Sequence, residues 1–315
     1  MRVVVIGGTG HIGSYLTPRL VEAGHAVTSV SRGRRRPYFE HAAWGRVRQV
    51  ELDRVAEEAG GTFGERIAAL GPQVVIDLTC YMPSSAQQLA VALRSRVEHL
   101  LHCGTIWVHG HSVEVPTTEE AARTPFGDYG IRKAEIERYL LDEAHRNALP
   151  VTILHPGHLV GTGWNPVNPQ GNFNPRIFSD IARGGEVHLP NLGMETLHHV
   201  HADDVASAFV AAMENRGRAI GESFHVVSAS AITLRGFAER MAMWFRHPPR
   251  LTFLPWPEWR ALADAKDAEA TWDHIAHSPN CSIAKARRLL GFEPRYSSLA
   301  AVQQAVAAMR EAGTI

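Results

Sequence analysis

The chain has 315 residues, of which 45% are hydrophobic and 20% charged, the balance of a soluble globular protein. Its 32 lysines and arginines match 32 aspartates and glutamates, so no overall field draws it to nucleic acid or to a membrane surface. Three cysteines without a CxxC spacing read as small buried thiols in a reducing compartment, and no apolar run reaches the roughly 20 residues of a membrane helix.

The apolar start, Val3–Ile6, is too short for a signal-peptide core, so a cytoplasmic location is expected. Strands are predicted at 2–7, 26–31, 47–52, 73–78, 97–103 and 150–156. Several are almost wholly apolar, as strands covered on both faces must be. Helical patterns lie between them at about 11–23, 62–70, 83–95 and 128–147. This alternation predicts an α/β fold with a doubly wound parallel sheet of the Rossmann type and right-handed crossovers. After about 160 the pattern changes. Residues 161–175, rich in Gly, Asn and Pro, read as a long functional loop. A helix at 202–214, the segment 222–227, a helical cap at 257–277 carrying Trp259 and Trp272, and a helix near 298–312 follow. The expected organisation is a dinucleotide-binding domain over 1–160, to which the chain returns at about 197–230. Residues 161–196 and 231–315 form a smaller, mixed substrate-binding region.

Gly7, Gly10 and Gly13 follow the first strand and open the first helix. In that context Gly7 permits the tight turn, Gly10 lets backbone approach a pyrophosphate, and Gly13 lets the helix sit close to the sheet. The helix N-terminus then presents free N–H groups to phosphate. The acid that an NAD site places after the second strand is absent. Ser31 stands there, followed by Arg32 and by Arg34, Arg35 and Arg36. A 2′-phosphate needs cations and no carboxylate, so NADP(H) is favoured over NAD(H).

Tyr129 and Lys133 are four apart on a predicted helix and share a face. An ammonium beside a phenol favours the phenolate, so a lowered Tyr129 pKa and a general acid/base role are expected.

With GxxGxxG spacing and the YxxxK of "YGIRK", the chain resembles the extended branch of the short-chain dehydrogenase/reductase superfamily, the branch of epimerases and dehydratases. Further similar segments are "VELDR", "GTIWVHG", "LHPGHLVG", "HHVHADDVASA", "GESFHVV" and "AKARRLLGFEP", in family order. The resemblance implies a catalytic set of Thr105, Tyr129 and Lys133. The implied cofactor site is Gly7, Thr9, Gly10, His11, Ile12, Gly13, Ser31, Arg32, Asp53, Leu78, Thr79, Tyr129, Lys133, Pro156 and His158. Asp53 would meet adenine and Lys133 the nicotinamide ribose. Substrate is expected against Tyr81, Trp107, His109, Asn172, Asn174 and His199. No metal is expected, although His-x-His spacings occur among the 18 histidines.

Three departures bear on the substrate. His109 replaces the family's tyrosine after the catalytic Thr, and His155 replaces an arginine. Where nucleotide-sugar enzymes often carry a diphosphate-gripping Arg before FVHVDDV, this chain has Leu197, His198 and His199. Against this, "NPQGNFNP" resembles a nucleotide-contacting loop of UDP-sugar 4-epimerases. The expected function is therefore an NAD(P)-dependent epimerase or oxidoreductase interconverting hydroxyl and carbonyl on a sugar or nucleotide sugar. The alternative is an NADPH-dependent reductase of a small non-sugar carbonyl. A third reading, a relative of plastid RNA-binding proteins, conflicts with the neutral charge. Expected partners are a small-molecule substrate, no nucleic acid and no membrane. The resemblance also implies a homodimer through 83–95 and 128–147.

Overall fold

Val3, Val4, Val5 and Ile6 are buried on both sides, which only the middle of a covered sheet allows. They form β1 (Arg2–Ile6) in a computed structural model that describes residues 1–146 and 148–315. The other strands of its sheet are β2 (Ala26–Ser31), β3 (Arg48–Glu51), β4 (Val74–Asp77), β5 (His99–Cys103), β6 (Val151–Pro156) and β7 (Ser223–Val226). All neighbours pair in parallel, in the order β7-β6-β5-β4-β1-β2-β3. The fold is thus Rossmann-like α/β, as the alternation predicts.

Strand periodicity divides the core into two layers. Val3 and Val5 face a cluster with Leu16, Leu20, Val205 and Phe209 of the His11–Glu22 and Ala202–Glu214 helices. Val4 and Ile6 face the other cluster, with Phe63, Leu89, Ile136 and Leu140 of the Phe63–Ala68, Pro83–Leu93 and Gly127–His145 helices. A third core, with Phe178, Leu189, Phe237, Met241 and Val302, underlies the C-terminal part. Small sheets there pair Leu251–Leu254 with Val187–Pro190 in parallel, and Ile232–Thr233 with Thr196–Leu197 in antiparallel sense.

Two departures from the predicted elements have local causes. The 257–277 cap is two helices, Trp256–Leu262 and Ala265–His277, because Asp264 leaves the helix with an extended backbone. An extra short helix, Arg54–Ala59, starts at Asp53, whose carboxylate accepts the Val55 amide hydrogen bond as an N-cap. Residues 161–175 contain no helix or strand, as expected of the loop. No helix among the described residues is long and apolar enough to cross a membrane.

Candidate active site

Strand order reverses between β1 and β4, and at such a switch point ligands bind beyond the C-terminal strand ends. A cleft of about 510 Å³ opens there. Its floor is the glycine turn. Gly7 has φ +88° and accepts the Gly10 amide at 2.9 Å. A Cβ at Gly7 would stand 2.5 Å from Thr79 Cγ2, and one at Gly13 would stand 2.5 Å from the Gly7 carbonyl oxygen. Only glycine leaves this floor as bare backbone. The His11–Glu22 helix has Gly10 as N-cap with no side-chain bond to its first turn. Its leading N–H groups therefore remain for an anion. This cradle fits a dinucleotide pyrophosphate.

Eleven of the expected cofactor residues line this cleft: Gly7, Thr9, Gly10, His11, Ile12, Gly13, Ser31, Arg32, Asp53, Leu78 and Thr79. Arg34 and Arg35 also line it, whereas Arg36 does not. Asp53 faces Arg34 at 3.7 Å. Arg54 is committed elsewhere, donating to Glu58 at 2.6 Å and to both oxygens of Asp77 at 2.8 and 3.0 Å. Arg32 and Arg35 have no carboxylate partner among the described residues. Trp164 reaches over the glycine turn from the long loop and stacks on the buried His11 ring, with centroids 4.8 Å apart. Burial pushes His11 down to about 3, assisted by His201, so the ring is neutral.

The expected catalytic residues Thr105, Tyr129 and Lys133 are not in the lining of this cleft, and neither are Pro156 and His158. Lys133 donates to the carbonyl oxygens of Cys80 and Cys103, both at 2.7 Å, and so ties the segment after β4 to the end of β5. The exposed Tyr81 ring stands 5.2 Å from its ammonium and lines the cleft. Thr105 is the N-cap of the Ile106–His109 turn, its hydroxyl accepting from the Trp107 amide at 3.3 Å. Tyr129 keeps 42% of its surface exposed, yet its hydroxyl lies deep enough that burial raises its pKa, with Cys103 adding to the rise and a Thr105 hydrogen bond opposing it. This corrects the expected lowering. The Lys133 charge is spent on two carbonyls, and its own pKa is lowered by burial.

The expected substrate residues divide. Trp107 stands edge-on to Tyr129 at 6.0 Å and stacks on His277 at 4.1 Å. His158 lies 5.0 Å from His274, which in turn packs against Trp107 and Phe173. His158 is almost fully buried, and its Nδ1 accepts the His198 amide. His109 does not face the cleft: it is buried, with Nε2 2.8 Å from His225 Nε2. His199 is fully buried, bonded to the Val167 carbonyl and packed on Phe237. Asn172 braces the long loop from within, bonding Asn168 at 2.6 Å and Thr271 at 3.1 Å. Asn174 ties the same loop to Asp267 at 2.8 Å. It also lines a second cleft of about 360 Å³ with Phe173, Arg176, Asp264, Lys266 and Asp267, whose charges balance.

Sequence reasoning missed His274 and His277. Their i,i+3 spacing on the cap helix puts them on one face, and that was the available signal. It also missed Glu137, which continues the Tyr129 and Lys133 series by one more turn. Asp77, Cys80 and His102 bring potential ligand atoms within 4.8 Å of one another. The Arg54 guanidinium already occupies the carboxylate that a metal would need.

The family model "NAD dependent epimerase/dehydratase family" matches residues 3–226. A 2'-dehydrokanamycin reductase from Streptomyces kanamyceticus is 28% identical over 281 residues, covering 87% of this chain and 76% of the relative. A UDP-glucose 4-epimerase from Azospirillum brasilense is 28% identical over 239 residues, covering 67% and 68%. The solved UDP-glucose 4-epimerase of Thermotoga maritima, in complex with UDP-glucose, superposes with a TM-score of 0.75 at 23% identity, over 99% of both chains. With the glycine cradle, the YxxxK helix and the family match over most of its length, this chain belongs to the NAD dependent epimerase/dehydratase family of enzymes.

Proposed function

We propose that the protein is an NADP(H)-dependent oxidoreductase that interconverts a secondary hydroxyl and a ketone on a sugar-like ring carrying no nucleotide. The observation that carries this reading is the state of His198 and His199, which stand where nucleotide-sugar members often place a diphosphate-gripping arginine. Both are fully buried. Burial lowers them to about 4 and about 3, and they spend their Nε2 atoms on the carbonyls of Ser228 and Val167. Neutral imidazoles bonded to backbone are poor anchors for a diphosphate, which calls for bidentate cations. The similarity to a reductase of a dehydro-aminoglycoside fits a ring substrate without nucleotide.

The cofactor preference is supported by Ser31 in place of an acid and by Arg32 and Arg35, which line the cleft without carboxylate partners. When bound, the nicotinamide cofactor supplies or accepts the hydride. The chain's own residues handle the oxygen and its proton. Tyr129, held protonated by burial, is set to give its proton to a ketone oxygen in the reductive direction. In this reading the Thr105 hydroxyl, which bonds Tyr129, holds the same oxygen. Lys133 fixes the segment after β4 and the end of β5, against which the reacting ring would rest.

The test has two arms. NADP⁺ and NAD⁺ are each offered with kanamycin and with free hexoses, and reduced-nicotinamide absorbance is followed. UDP, GDP and UDP-glucose are screened by thermal shift. NADP⁺-linked turnover with no stabilisation by nucleotides is expected. Stabilisation or turnover with UDP-glucose would overturn the nucleotide-free reading. A second reading, epimerisation with retained cofactor, draws support from Trp164 packed on His11 above the glycine turn. Reduced-nicotinamide absorbance in the purified protein is its signature.

A further inference from the structure

We propose that His155 is a positioning residue that sets the catalytic Thr105 through its backbone, a role that rests on the oxidoreductase reading above. His155 is the penultimate residue of β6 and is fully buried. Its Nδ1 accepts the Thr105 amide hydrogen at 3.0 Å, and its Nε2 lies 2.9 Å from Glu137 Oε1. Glu137 stands one helical turn beyond Lys133, on the helix that carries Tyr129. Arg123 grips the same carboxylate with two bonds, at 2.7 and 3.0 Å.

These contacts determine the tautomer. A nitrogen that accepts an amide N–H carries a lone pair, so Nδ1 is unprotonated and the proton sits on Nε2, facing the carboxylate. The ring is therefore neutral and meets Glu137 as a hydrogen-bond donor. Glu137, fixed by the Arg123 guanidinium, keeps the ring from flipping. Gly104 completes the fit, because a Cβ there would run into the His155 ring. The line Arg123–Glu137–His155–Thr105 thus ties the Tyr129 helix to the turn bearing the Thr105 hydroxyl. An arginine at 155 could pair with Glu137 but offers no acceptor to Thr105.

Two substitutions separate the two bonds. His155→Asn keeps an acceptor near the Nδ1 position and loses Glu137, whereas His155→Arg keeps Glu137 and loses the acceptor. With the probe turned over in the assay above, His155→Arg is expected to lower kcat about 100-fold, the cost of a roughly 1 Å misplacement. Cofactor affinity stays unchanged, and His155→Asn stays within about tenfold of wild type. Added to Thr105→Ala, His155→Arg is expected to cost nothing further, since both act through one group. Fully additive losses, or wild-type kcat in His155→Arg, overturn the proposal.

A spectroscopic arm needs neither substrate nor a folded variant. Imidazole nitrogen NMR of the wild-type protein, assigned through the Thr105 amide proton, is expected to show Nε2 protonated and Nδ1 bare. A protonated Nδ1 overturns the proposal. If the wild type turns over no probe while the tautomer is as expected, the oxidoreductase reading fails and the Thr105 anchor stands.

Discussion

The histidine count predicts an acid-sensitive fold. His11, His99, His102, His109, His158, His198, His199, His225, His274 and His277 are all buried, and burial lowers the pKa of each below the ordinary 6.5. Where values resolve, they fall to about 4 for His99, His109, His198, His274 and His277 and to about 3 for His11 and His199. For a group whose folded pKa is depressed, the stabilisation is complete above the unfolded pKa and is lost as pH falls. Here the window runs from 6.5 down to about 4. Near pH 5 the unfolded chain protonates almost all ten and the folded chain few. Each proton of difference costs about 1.4 kcal/mol per pH unit. If only half of the ten behave this way, stability falls by roughly 7 kcal/mol per pH unit, against a total of about 5–15 kcal/mol for a typical protein. Glu119, Asp204 and Asp273, raised by burial, oppose this trend, but they are three groups against ten. Urea unfolding at a series of pH values, with calorimetry in buffers of different ionisation enthalpy to count protons, measures the slope. A midpoint unchanged between pH 7 and pH 5 would refute the reasoning.

Four further outcomes are expected. Tyr129→Phe should lower turnover by about 10²–10⁴-fold while leaving cofactor affinity within a few-fold; retained activity removes Tyr129 as the proton donor. Gly13→Ala, whose Cβ would crowd two backbone carbonyls, should destabilise the fold by about 1–3 kcal/mol in a thermal melt. Gly10→Ala, 3.1 Å from the Gly7 oxygen, should fold but bind cofactor more weakly, and equal melting of the two variants would contradict the assigned roles. Arg32→Ala should lower NADPH affinity by about tenfold, the worth of one charge-assisted bond, and leave NADH unchanged in a fluorescence titration. An unaltered NADPH-to-NADH ratio would mean that this arginine is merely solvated.

The sheet and the nucleotide end of the site were legible because both rest on local signals. The six predicted runs became six adjacent strands, and the glycine turn lies where a strand meets a helix. The seventh strand, Ser223–Val226, was marked only as a segment, since it joins β6 from some 70 positions away. The candidate substrate end gathers Trp107, His158, Phe173 and His274, four separate stretches brought together by tertiary packing. Composition could flag histidines as numerous but could not tell which were bonded to one another. His109 illustrates the limit. Next to a catalytic segment it reads as a pocket residue, yet His225, 116 positions later, holds it in the core. The Tyr129 pKa was misjudged for a related reason. Helical spacing places Lys133 one turn away, but only the fold shows the two carbonyls that absorb its charge.

The two ends of the site use opposite electrostatics, and this bears on what the enzyme can bind. At the nucleotide end, arginines at the close of β2 and open helix N–H groups meet in one cleft, the environment an anionic cofactor requires. At the substrate end the groups around Trp107 are imidazoles whose burial holds them neutral, and Lys133 is bonded to backbone. A substrate with its own diphosphate would bring two further negative charges to imidazoles held neutral, and the cations on this side, Arg176 and Lys266, line the second cleft beside Phe173 together with Asp264 and Asp267. A neutral or amine-bearing ring meets no such cost, because an unprotonated imidazole nitrogen can accept from O–H or N–H. In the proposed reading, the buried and neutral His198 and His199 turn the preference away from nucleotide sugars, whereas His155, bonded to Thr105 and Glu137, acts on the catalytic turn and not on the substrate.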